Sequence, residues 1–304
     1  MVDITAKQYT LRVATAQAIV KVSSLDTIKE IKEGTVPKGD VFAMSKAAGL
    51  LGVKKTPVLL PDCHPLPIEY TGITYEINDL EITILMTVKT IYKTGVEVEA
   101  MHGASIVALN MYDMLKPIDK NVEIGNIKLL SKHGGKSSYK DKFERSLTAA
   151  VIVCSDTISA GKKEDKAGKA IIKKLEESQV IIADYVIIPD EIKDIQDKAL
   201  QYQKDGIDLI IYTGGTGLSK RDVTPEALLP LIERKIPGIE EAIRAYGQDR
   251  MPYSMLSRSI AGTIKNTLVL ALPGSTNGAR ESMDAIFPAV LHVFNILKGA
   301  RHDI

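Results

Sequence analysis

The chain has 304 residues, which is long enough for two domains with substantial cores. Its 39 cationic and 38 anionic residues give a net charge of +1, which argues against a protein that coats nucleic acid but leaves room for a local anion pocket. Apolar residues make up 45% and charged residues 25% of the chain, an ordinary composition for a globular protein.

The two cysteines and the first residues indicate a compartment. Cys63 and Cys154 are too few for a disulfide framework, which favours a reducing cytoplasm. The chain does not open on a signal peptide, and no apolar run approaches the ~20 residues that span a bilayer. We therefore expect a cytoplasmic protein that acts on small molecules and has no nucleic acid or membrane partner.

The first half has helices and strands in mixed order. Residues 40–56 carry apolar side chains at helical spacing, and a loop with four prolines follows. Two strand-like runs come next, at 69–78 and 81–92, and the second alternates apolar and polar residues. A long helix is predicted from about Val96 to Lys116. This order predicts an α+β domain with antiparallel strands and helices on one face.

One face of the long helix is polar. A helical wheel places Glu99, His102, Asn110 and Asp113 within roughly 60°, opposite a broad apolar arc. A solvated face of an amphipathic helix is one interpretation. The absence of lysine from the stripe, and the position of Lys116 one turn after Asp113, favour a functional one.

The loop PDCHPLP places Cys63 beside His64. No CxxC or HxxxH pattern accompanies them, so the spacing does not predict a zinc site. The prolines from Pro57 to Pro67 stiffen the loop and limit the entropy lost in presenting His64. His64 is either structural or a candidate for acid–base or phosphate contact.

A polar stretch, residues 131–146, separates this half from a second one and is predicted to be a boundary or mobile loop. Beyond it, strands and helices alternate, and the strands are almost continuously apolar, as in sheets covered on both faces. Strands are predicted at 148–155, 180–189, 206–212 and 266–274, and helices at 190–206 and 224–235. This pattern predicts an α/β domain with a doubly wound, mainly parallel sheet.

Polar residues and glycines follow each of these strands, at the edge where open parallel sheets bind ligands. They are Ser155, Asp156, Asp190, Gly214, Gly215, Thr216, Gly217 and Ser275. Glycines allow close approach to the main chain, and a helix N-terminus favours anions, so a phosphate-bearing ligand fits. Alternatively, Asp222 and Asp190 only support helix starts, Asp222 beside Thr224 as N-cap.

The first half resembles the MoaC family, cyclic pyranopterin monophosphate synthase. The blocks that carry the resemblance are KGDVFAMSKAAGLLGVKKT, CHPLP, KTGVEVEAMHGASIVALNMYDMLK and GGKS. The resemblance implies a ferredoxin-like α+β fold, a hexamer with sites at subunit interfaces, and conversion of (8S)-3',8-cyclo-7,8-dihydroguanosine 5'-triphosphate into cyclic pyranopterin monophosphate and diphosphate.

The same resemblance assigns roles to residues of this chain. Asp113 matches the catalytic acid/base, and Lys38 and Lys116 match functional lysines. Residues matched to substrate contacts are Cys63, His64, Val98, Glu99 and Lys136. A triphosphate substrate requires cations, and a lysine near other charges can move protons, so these residue types suit the reaction.

The second half resembles the molybdopterin adenylyltransferases of the MoaB/MogA type. The blocks are SDTISAGKKEDKAG, IIPDE, TGGTGLSKRDVTPEALLPLIERKIPGIEEAIR, LSRSIAG and LALPGSTNGARE. The resemblance implies transfer of AMP from Mg-ATP to molybdopterin with loss of diphosphate. It assigns Asp222 to Mg²⁺ and nucleotide phosphates, Asp190 to metal or substrate positioning, and Gly214–Gly217 with Ser275 to ligand contacts.

The two resemblances together predict a bifunctional enzyme of molybdenum cofactor synthesis, with domains at 1–140 and 147–304. Its expected cofactor is Mg²⁺ with ATP in the second domain, without a tightly bound organic cofactor. Because both families form oligomers, a homo-oligomer, trimer or hexamer, is expected. Two alternatives stay open: a second domain that binds molybdopterin without turnover, and a nucleotide-sensing regulator.

Overall fold

The computed structural model describes residues 1–135, 138 and 141–299, and the chain divides into two compact units, 1–138 and 139–304. Each unit has its own sheet and hydrophobic core. The elements of the first unit are β1 (Thr10–Lys21), α1 (Leu25–Glu33), α2 (Val41–Leu59), β2 (Tyr70–Asn78), β3 (Glu81–Tyr92), α3 (Glu97–Leu115) and β4 (Glu123–His133).

The first unit is built on a four-stranded antiparallel sheet in the order β2-β3-β1-β4. With α1 and α2 between β1 and β2, and α3 between β3 and β4, this is the ferredoxin-like arrangement, which confirms the predicted α+β fold. The central strand β1 was not among the predicted elements. Its inward positions include the buried Ala14, Ala16 and Ala18, and Ala16 pairs with Met86 of β3.

Helices α2 and α3 pack closely because small residues lie at their contact. A side chain at Gly49 would collide with Val107, and one at Gly103 would collide with Val53. Helix α2 also continues to Leu59 through Pro57, so the prediction that a loop follows residue 56 is wrong. The Thr56 hydroxyl donates to the Val53 carbonyl at 3.0 Å, which replaces the helical hydrogen bond that Pro57 cannot make because it has no N–H.

The second unit alternates strands and helices as predicted. Its strands are β5 (Thr148–Cys154), β6 (Ile181–Ile188), β7 (Leu209–Thr213), β8 (Arg234–Lys235), β9 (Ile260–Ile264) and β10 (Thr267–Leu272). Its helices are α4 (Asp156–Ser159), α5 (Ala167–Glu177), α6 (Ile192–Lys204), α7 (Thr224–Leu228), α8 (Pro237–Gln248), α9 (Thr276–Ile286) and α10 (Val293–Leu297). Short 3₁₀ helices cover Pro252–Leu256 and Ala289–His292.

The second sheet has the order β6-β5-β7-β10-β9-β8. The pairs β5–β6, β5–β7 and β7–β10 are parallel, which confirms the predicted α/β fold, and β8 and β9 add an antiparallel edge. Because the chain moves outward in opposite directions from β5, the loops after β5 and β7 flank a topological switch point. This is the place where an open α/β sheet binds its ligand.

Both faces of this sheet are covered. Along β5, Ala149 and Val151 belong to one core, and Ala150, Ile152 and Cys154 belong to the other. The predicted helix at 224–235 is wrong in its extent. Helix α7 ends at Leu228, and residues 234–235 form β8 against β9, because their main chain pairs with Thr263 and Gly262.

The predicted boundary at 131–146 is partly structured. Residues 131–133 belong to β4, and residues 141–147, here called the 141–147 segment, are bound to the second unit. Asp141 accepts hydrogen bonds from His292 at 2.8 Å and Asn295 at 3.0 Å. Arg145 makes two hydrogen bonds, of 2.7 and 2.6 Å, to the buried Asp208. The second unit therefore includes residues on the N-terminal side of its first strand.

Candidate active sites

The first unit brings Lys38, Asp113 and Lys116 together. Lys38 precedes Asp40, whose carboxylate caps α2 by accepting from the Ala43 N–H at 2.9 Å. Asp113 lies in the last turn of α3, and Lys116 is its C-terminal cap residue. The Lys38 Nζ atom lies 2.6 Å from Asp113 Oδ2, and the Lys116 Nζ atom lies 2.8 Å from Asp113 Oδ1.

The contacts within this ion triplet shift the pKa values of Asp113 and Lys116. Hydrogen bonds from Lys116 and Lys38 lower the pKa of Asp113 to about 2, and Asp113 in turn raises the pKa of Lys116. At neutral pH the carboxylate is therefore ionised and both ammonium groups are engaged. The three predicted residues form one cluster of alternating charge.

A second group lies at the other end of α3. The Cys63 thiol donates to Glu99 Oε1 at 3.6 Å, and the His64 Nε2 atom lies 2.9 Å from the Val2 carbonyl oxygen. Glu99 is only 2% exposed, so it does not belong to a solvated helix face. Burial raises the pKa of Glu99, and burial together with Glu99 raises the pKa of Cys63. Val98 is half-exposed beside this group.

Other members of the predicted polar stripe face α2. The His102 Nδ1 atom lies 3.0 Å from the Thr56 hydroxyl, and the Asn110 amide donates to the Ser45 hydroxyl at 3.0 Å. The stripe is thus partly an interhelical contact, and Asp113 is its exposed end.

One chain does not bring the two predicted groups together. Glu99 and Asp113 are 14 positions apart on α3, which corresponds to about 21 Å of helix. Cys63 and Glu99 therefore lie at one end, and Lys38, Asp113 and Lys116 lie at the other. Lys136, also predicted to contact substrate, lies outside the described residues.

A basic cavity of about 430 Å³ was missed by the sequence reasoning. Its lining includes Lys7, Arg12, Lys132, His133, Gly134 and Gly135. Arg12 donates to the Tyr92 carbonyl at 3.1 Å and to the Lys93 carbonyl at 3.3 Å. Both glycines have positive φ, and a side chain at Gly135 would collide with the Arg12 guanidinium. The sequence feature that could have indicated this cavity is Arg12, an arginine within a strand rich in small apolar residues.

In the second unit, loops after β5, β6 and β7 meet as predicted. The Asp156 N–H donates to Asp190 Oδ2 at 3.1 Å, and the Asp190 N–H donates to Asp156 Oδ1 at 3.1 Å. Arg221 makes bonds of 3.0 and 2.9 Å to the Asp156 carboxylate, and one of 3.0 Å to Glu191. Ser155 accepts from the Ile158 N–H and caps α4.

The glycine loop after β7 fits under these carboxylates. Gly214 and Gly215 have φ of 103° and 61°, which favours glycine, and a Cβ at Gly215 would lie 2.9 Å from Asp190 Oδ1. The Thr224 hydroxyl donates to the Gly214 carbonyl at 3.0 Å. Asp222 Oδ2 accepts from the Ser219 N–H at 2.8 Å, so Asp222 closes the loop. Thr216 is buried within it.

The surroundings of Asp190 show whether residues of this unit could bind a magnesium ion. In the part of the chain that the structure describes, no hydrogen bond reaches the buried Asp190 Oδ1. Burial, followed by the charges of Asp156 and Asp222, raises the pKa of Asp190. Residues 1–135, 138 and 141–299 contain no group of three His, Cys, Asp or Glu side chains that could hold a metal ion. A magnesium ion at this place would therefore need phosphate oxygens of a bound nucleotide as ligands in addition to these carboxylates.

The loop after β10 completes the rim. A Cβ at Gly274 would lie 2.9 Å from Gly214 Cα, so this loop touches the glycine loop. Ser275 caps α9 by accepting from the Gly278 N–H at 3.1 Å, and it lines a cavity of about 770 Å³ between α8 and α9. Arg244, Arg250 and Asn277 also line this cavity.

Sequence reasoning also missed Arg258, although its block LSRSIAG carried the resemblance. The Arg258 guanidinium donates to the Gly217 carbonyl at 2.8 Å and to the Asp222 carbonyl at 2.6 Å. It also pairs with Glu226. Two partners on the glycine loop and one on α7 make Arg258 part of the architecture around Asp222.

Comparison with known proteins is consistent with two domains. The MoaC family model matches residues 1–135, and a model described as a probable molybdopterin binding domain matches residues 150–292. Among the described residues, every helix is too short or too polar to cross a membrane.

Relatives match the chain along its length. The "Molybdenum cofactor biosynthesis bifunctional protein" of Chlorobaculum tepidum is 39% identical over 302 residues, 99% of this chain and 96% of that protein. The protein of the same name from Synechococcus elongatus is 36% identical over 317 residues, 99% of this chain and 98% of that protein. The cyclic pyranopterin monophosphate synthase of Clostridium perfringens is 48% identical over 139 residues, 45% of this chain and 87% of that protein. The chain therefore belongs to the family of bifunctional molybdenum cofactor biosynthesis proteins, with a MoaC domain followed by a molybdopterin-binding domain of the MoaB/MogA type.

Proposed function

We propose that the first unit is a cyclic pyranopterin monophosphate synthase, which converts (8S)-3',8-cyclo-7,8-dihydroguanosine 5'-triphosphate into cyclic pyranopterin monophosphate and diphosphate. The observation that carries this proposal is the ion triplet of Lys38, Asp113 and Lys116. The relative of that name, 48% identical over this unit, supports it.

The triplet suits a triphosphate substrate. Phosphate oxygens compete with Asp113 for the two ammonium groups, and a lysine that moves toward them leaves Asp113 with fewer stabilising partners. The pKa of Asp113 then rises from about 2, and its carboxylate becomes a better proton acceptor. Glu99 has the opposite character, because burial favours its protonated form. Two carboxyl groups with pKa values pushed apart fit an acid and a base.

The proposed reaction requires at least two copies of the chain, in keeping with the expected homo-oligomer, trimer or hexamer. Because the ends of α3 are about 21 Å apart, Glu99 and Asp113 can serve one substrate only across two copies. Helices α2 and α3 offer a face for such a contact. The exposed apolar side chains on it are Met44, Leu51, Val98, Leu109 and Tyr112.

We propose that the second unit transfers AMP from Mg-ATP to molybdopterin with release of diphosphate. The buried, unpartnered Asp190 Oδ1 beside the glycine loop is the observation that carries it. Magnesium bound with the nucleotide supplies positive charge that offsets the charge of the phosphates. Asp222 and Asp190 are the residues that would hold this ion. The open main chain of Gly214–Gly217 allows phosphates to approach, while Ser155, Asp156 and Ser275 border them.

A second candidate is a unit that binds molybdopterin without turnover. The engagement of Arg221 by Asp156 and Glu191 favours it, since an arginine held by two carboxylates is not free to contact a phosphate. A nucleotide-sensing regulator would likewise bind ligand without forming product.

The two reactions provide controls for each other in one protein. The wild-type chain is given each substrate, and diphosphate and pterin products are measured. Asp113→Asn should lower the first reaction about a hundredfold or more and leave the second unchanged. Asp222→Ala should lower the second reaction about a hundredfold and leave the first unchanged. Ligand binding by the wild type without diphosphate release would contradict catalysis in that unit.

A further inference from the structure

Arg258 lies in the loop before β9, outside the strand-end loops that form the rim. Its main-chain N–H donates to the Thr216 carbonyl at 3.1 Å, and its guanidinium donates to the Gly217 and Asp222 carbonyls at 2.8 and 2.6 Å. The guanidinium also pairs with Glu226 of α7. One side chain thus joins both ends of the 217–222 segment to the start of the following helix.

This arrangement limits where the Asp222 carboxylate can go. Within the segment, Asp222 Oδ2 accepts from the Ser219 N–H, and the Asp222 N–H donates to the Ser219 carbonyl at 3.0 Å. Those bonds fix the carboxylate relative to the loop but not to the sheet. The bonds from Arg258 to Gly217 and Asp222 attach the loop to β9, the strand of the sheet that begins two residues after Arg258.

Arginine suits this task better than lysine. Its planar guanidinium presents five donors in a fixed geometry, so it can serve two carbonyls and a carboxylate at once. A lysine ammonium is a compact charge on a flexible stem and cannot hold three partners in this spread arrangement.

We propose that Arg258 is a positioning residue for nucleotide transfer: it holds the 217–222 segment so that the Asp222 carboxylate meets the nucleotide-bound metal. As a positioning residue, Arg258 acts through Asp222. This inference rests on the proposed function of the second unit.

The test compares Arg258→Met and Arg258→Lys with Arg234→Met, a control in which an exposed arginine of β8 is changed in the same way. We measure kcat and KM for Mg-ATP, the magnesium concentration for half-maximal rate, and the thermal midpoint. Arg258→Met should lower kcat/KM about a hundredfold, because a misplacement of about 1 Å has that effect. It should also raise the magnesium requirement. Arg258→Lys should recover part of the loss, and Arg234→Met should match the wild type.

A purely structural role predicts a different pattern, in which the thermal midpoint falls while the magnesium requirement stays at its wild-type value. That result, or a folded Arg258→Met with wild-type kinetics, would overturn the inference. Should Arg258→Met not fold, Arg258→Lys decides by the same measurements. Glu226→Gln keeps the bonds to the two carbonyls and should stay within about twofold of wild type.

The proposed function can fail separately. A wild-type chain that releases no diphosphate from Mg-ATP and molybdopterin refutes adenylyl transfer, whatever the variants do. In that case Arg258 is tested by calorimetric binding of a non-hydrolysable ATP analogue with Mg²⁺. Weaker binding by Arg258→Lys and Arg258→Met than by Arg234→Met supports the positioning role, and equal binding refutes it.

Discussion

Two carboxyl groups on α3 show how local surroundings give the same chemical group opposite properties. Asp113 is half-exposed between two lysines, and its pKa lies near 2. Glu99 is buried beside Cys63, and burial raises its pKa. The sequence analysis placed both on one polar stripe, because a helical wheel shows on which side of the helix a residue lies but not which other residues pack against it. Asp113 and Lys116, one turn apart in the predicted helix, form an ion pair. A wheel of α3 could not show that Cys63, from the loop after α2, contacts Glu99.

The low pKa of Asp113 is directly measurable. Carboxyl-carbon NMR should give a value of about 2 in the wild type and one near the ordinary 3.8 in the Lys38→Met, Lys116→Met double variant. The ion pairs therefore stabilise the fold above the ordinary pKa, and their contribution is lost as pH falls through the folded value. Lys120→Met, which changes an exposed lysine after α3, is the control. An unchanged pKa in the double variant would contradict the assigned cause.

At the scale of elements, the sequence predicted strongly patterned segments and missed weakly patterned ones. The residues of β1 alternate between more buried and less buried positions, as in other strands. Its buried residues include Ala14, Ala16 and Ala18, however, and alanine is a weak strand former. Helix α2 passes through Pro57 because the neighbouring Thr56 hydroxyl takes the Val53 carbonyl. Neither outcome is visible in residue types alone, since one depends on a partner strand and the other on a side-chain rotamer.

The 141–147 segment gives a stability prediction. Burial alone would raise the pKa of Asp208, but hydrogen bonds from Arg145 and Thr148 outweigh it and the pKa is lowered. Asp208→Asn should lower the free energy of unfolding by about 2 kcal/mol, less than a fully buried pair because Arg145 is largely exposed.

This difference has a defined pH dependence. The stabilisation is present above the ordinary carboxyl pKa and is lost as pH falls through the lowered value, so wild type and Asp208→Asn should converge in acid. Urea unfolding of the full chain, followed by circular dichroism, measures both effects. Asp205→Asn, at an exposed helix end, should change stability by less than about 0.5 kcal/mol. A difference that persists below the lowered pKa would refute the assignment.

At the scale of the whole molecule, composition and element order predicted two units and both fold classes, because alternating and continuous apolar patterns distinguish the sheets. The assembly of the first site was not predictable in the same way. The predicted helix already separated Glu99 from Asp113 by about 21 Å, but only the fold shows that Cys63 lies beside Glu99 and that Lys38 lies beside Asp113.

Assembly can be tested by complementation. Lys38→Met and Glu99→Gln are each expected to abolish cyclic pyranopterin monophosphate formation. When the two variants are co-expressed and assemble at random, about a quarter of the interfaces join a copy with an intact Lys38 to a copy with an intact Glu99. About a quarter of wild-type activity should return. Lys38→Met with Asp113→Asn, both at one end of α3, should recover none. No recovery with the first pair would refute a site shared between copies.

The contact between Cys63 and Glu99 also lowers the reactivity of this thiol toward oxidants and alkylating reagents. The thiolate is the reactive form of cysteine, and burial together with the neighbouring carboxylate disfavours it. Cys154 is buried as well, and its pKa is raised to about 12. Both sulfurs are therefore poor nucleophiles at neutral pH. Iodoacetamide should modify the native chain slowly, and mild peroxide should leave it without an intermolecular disulfide.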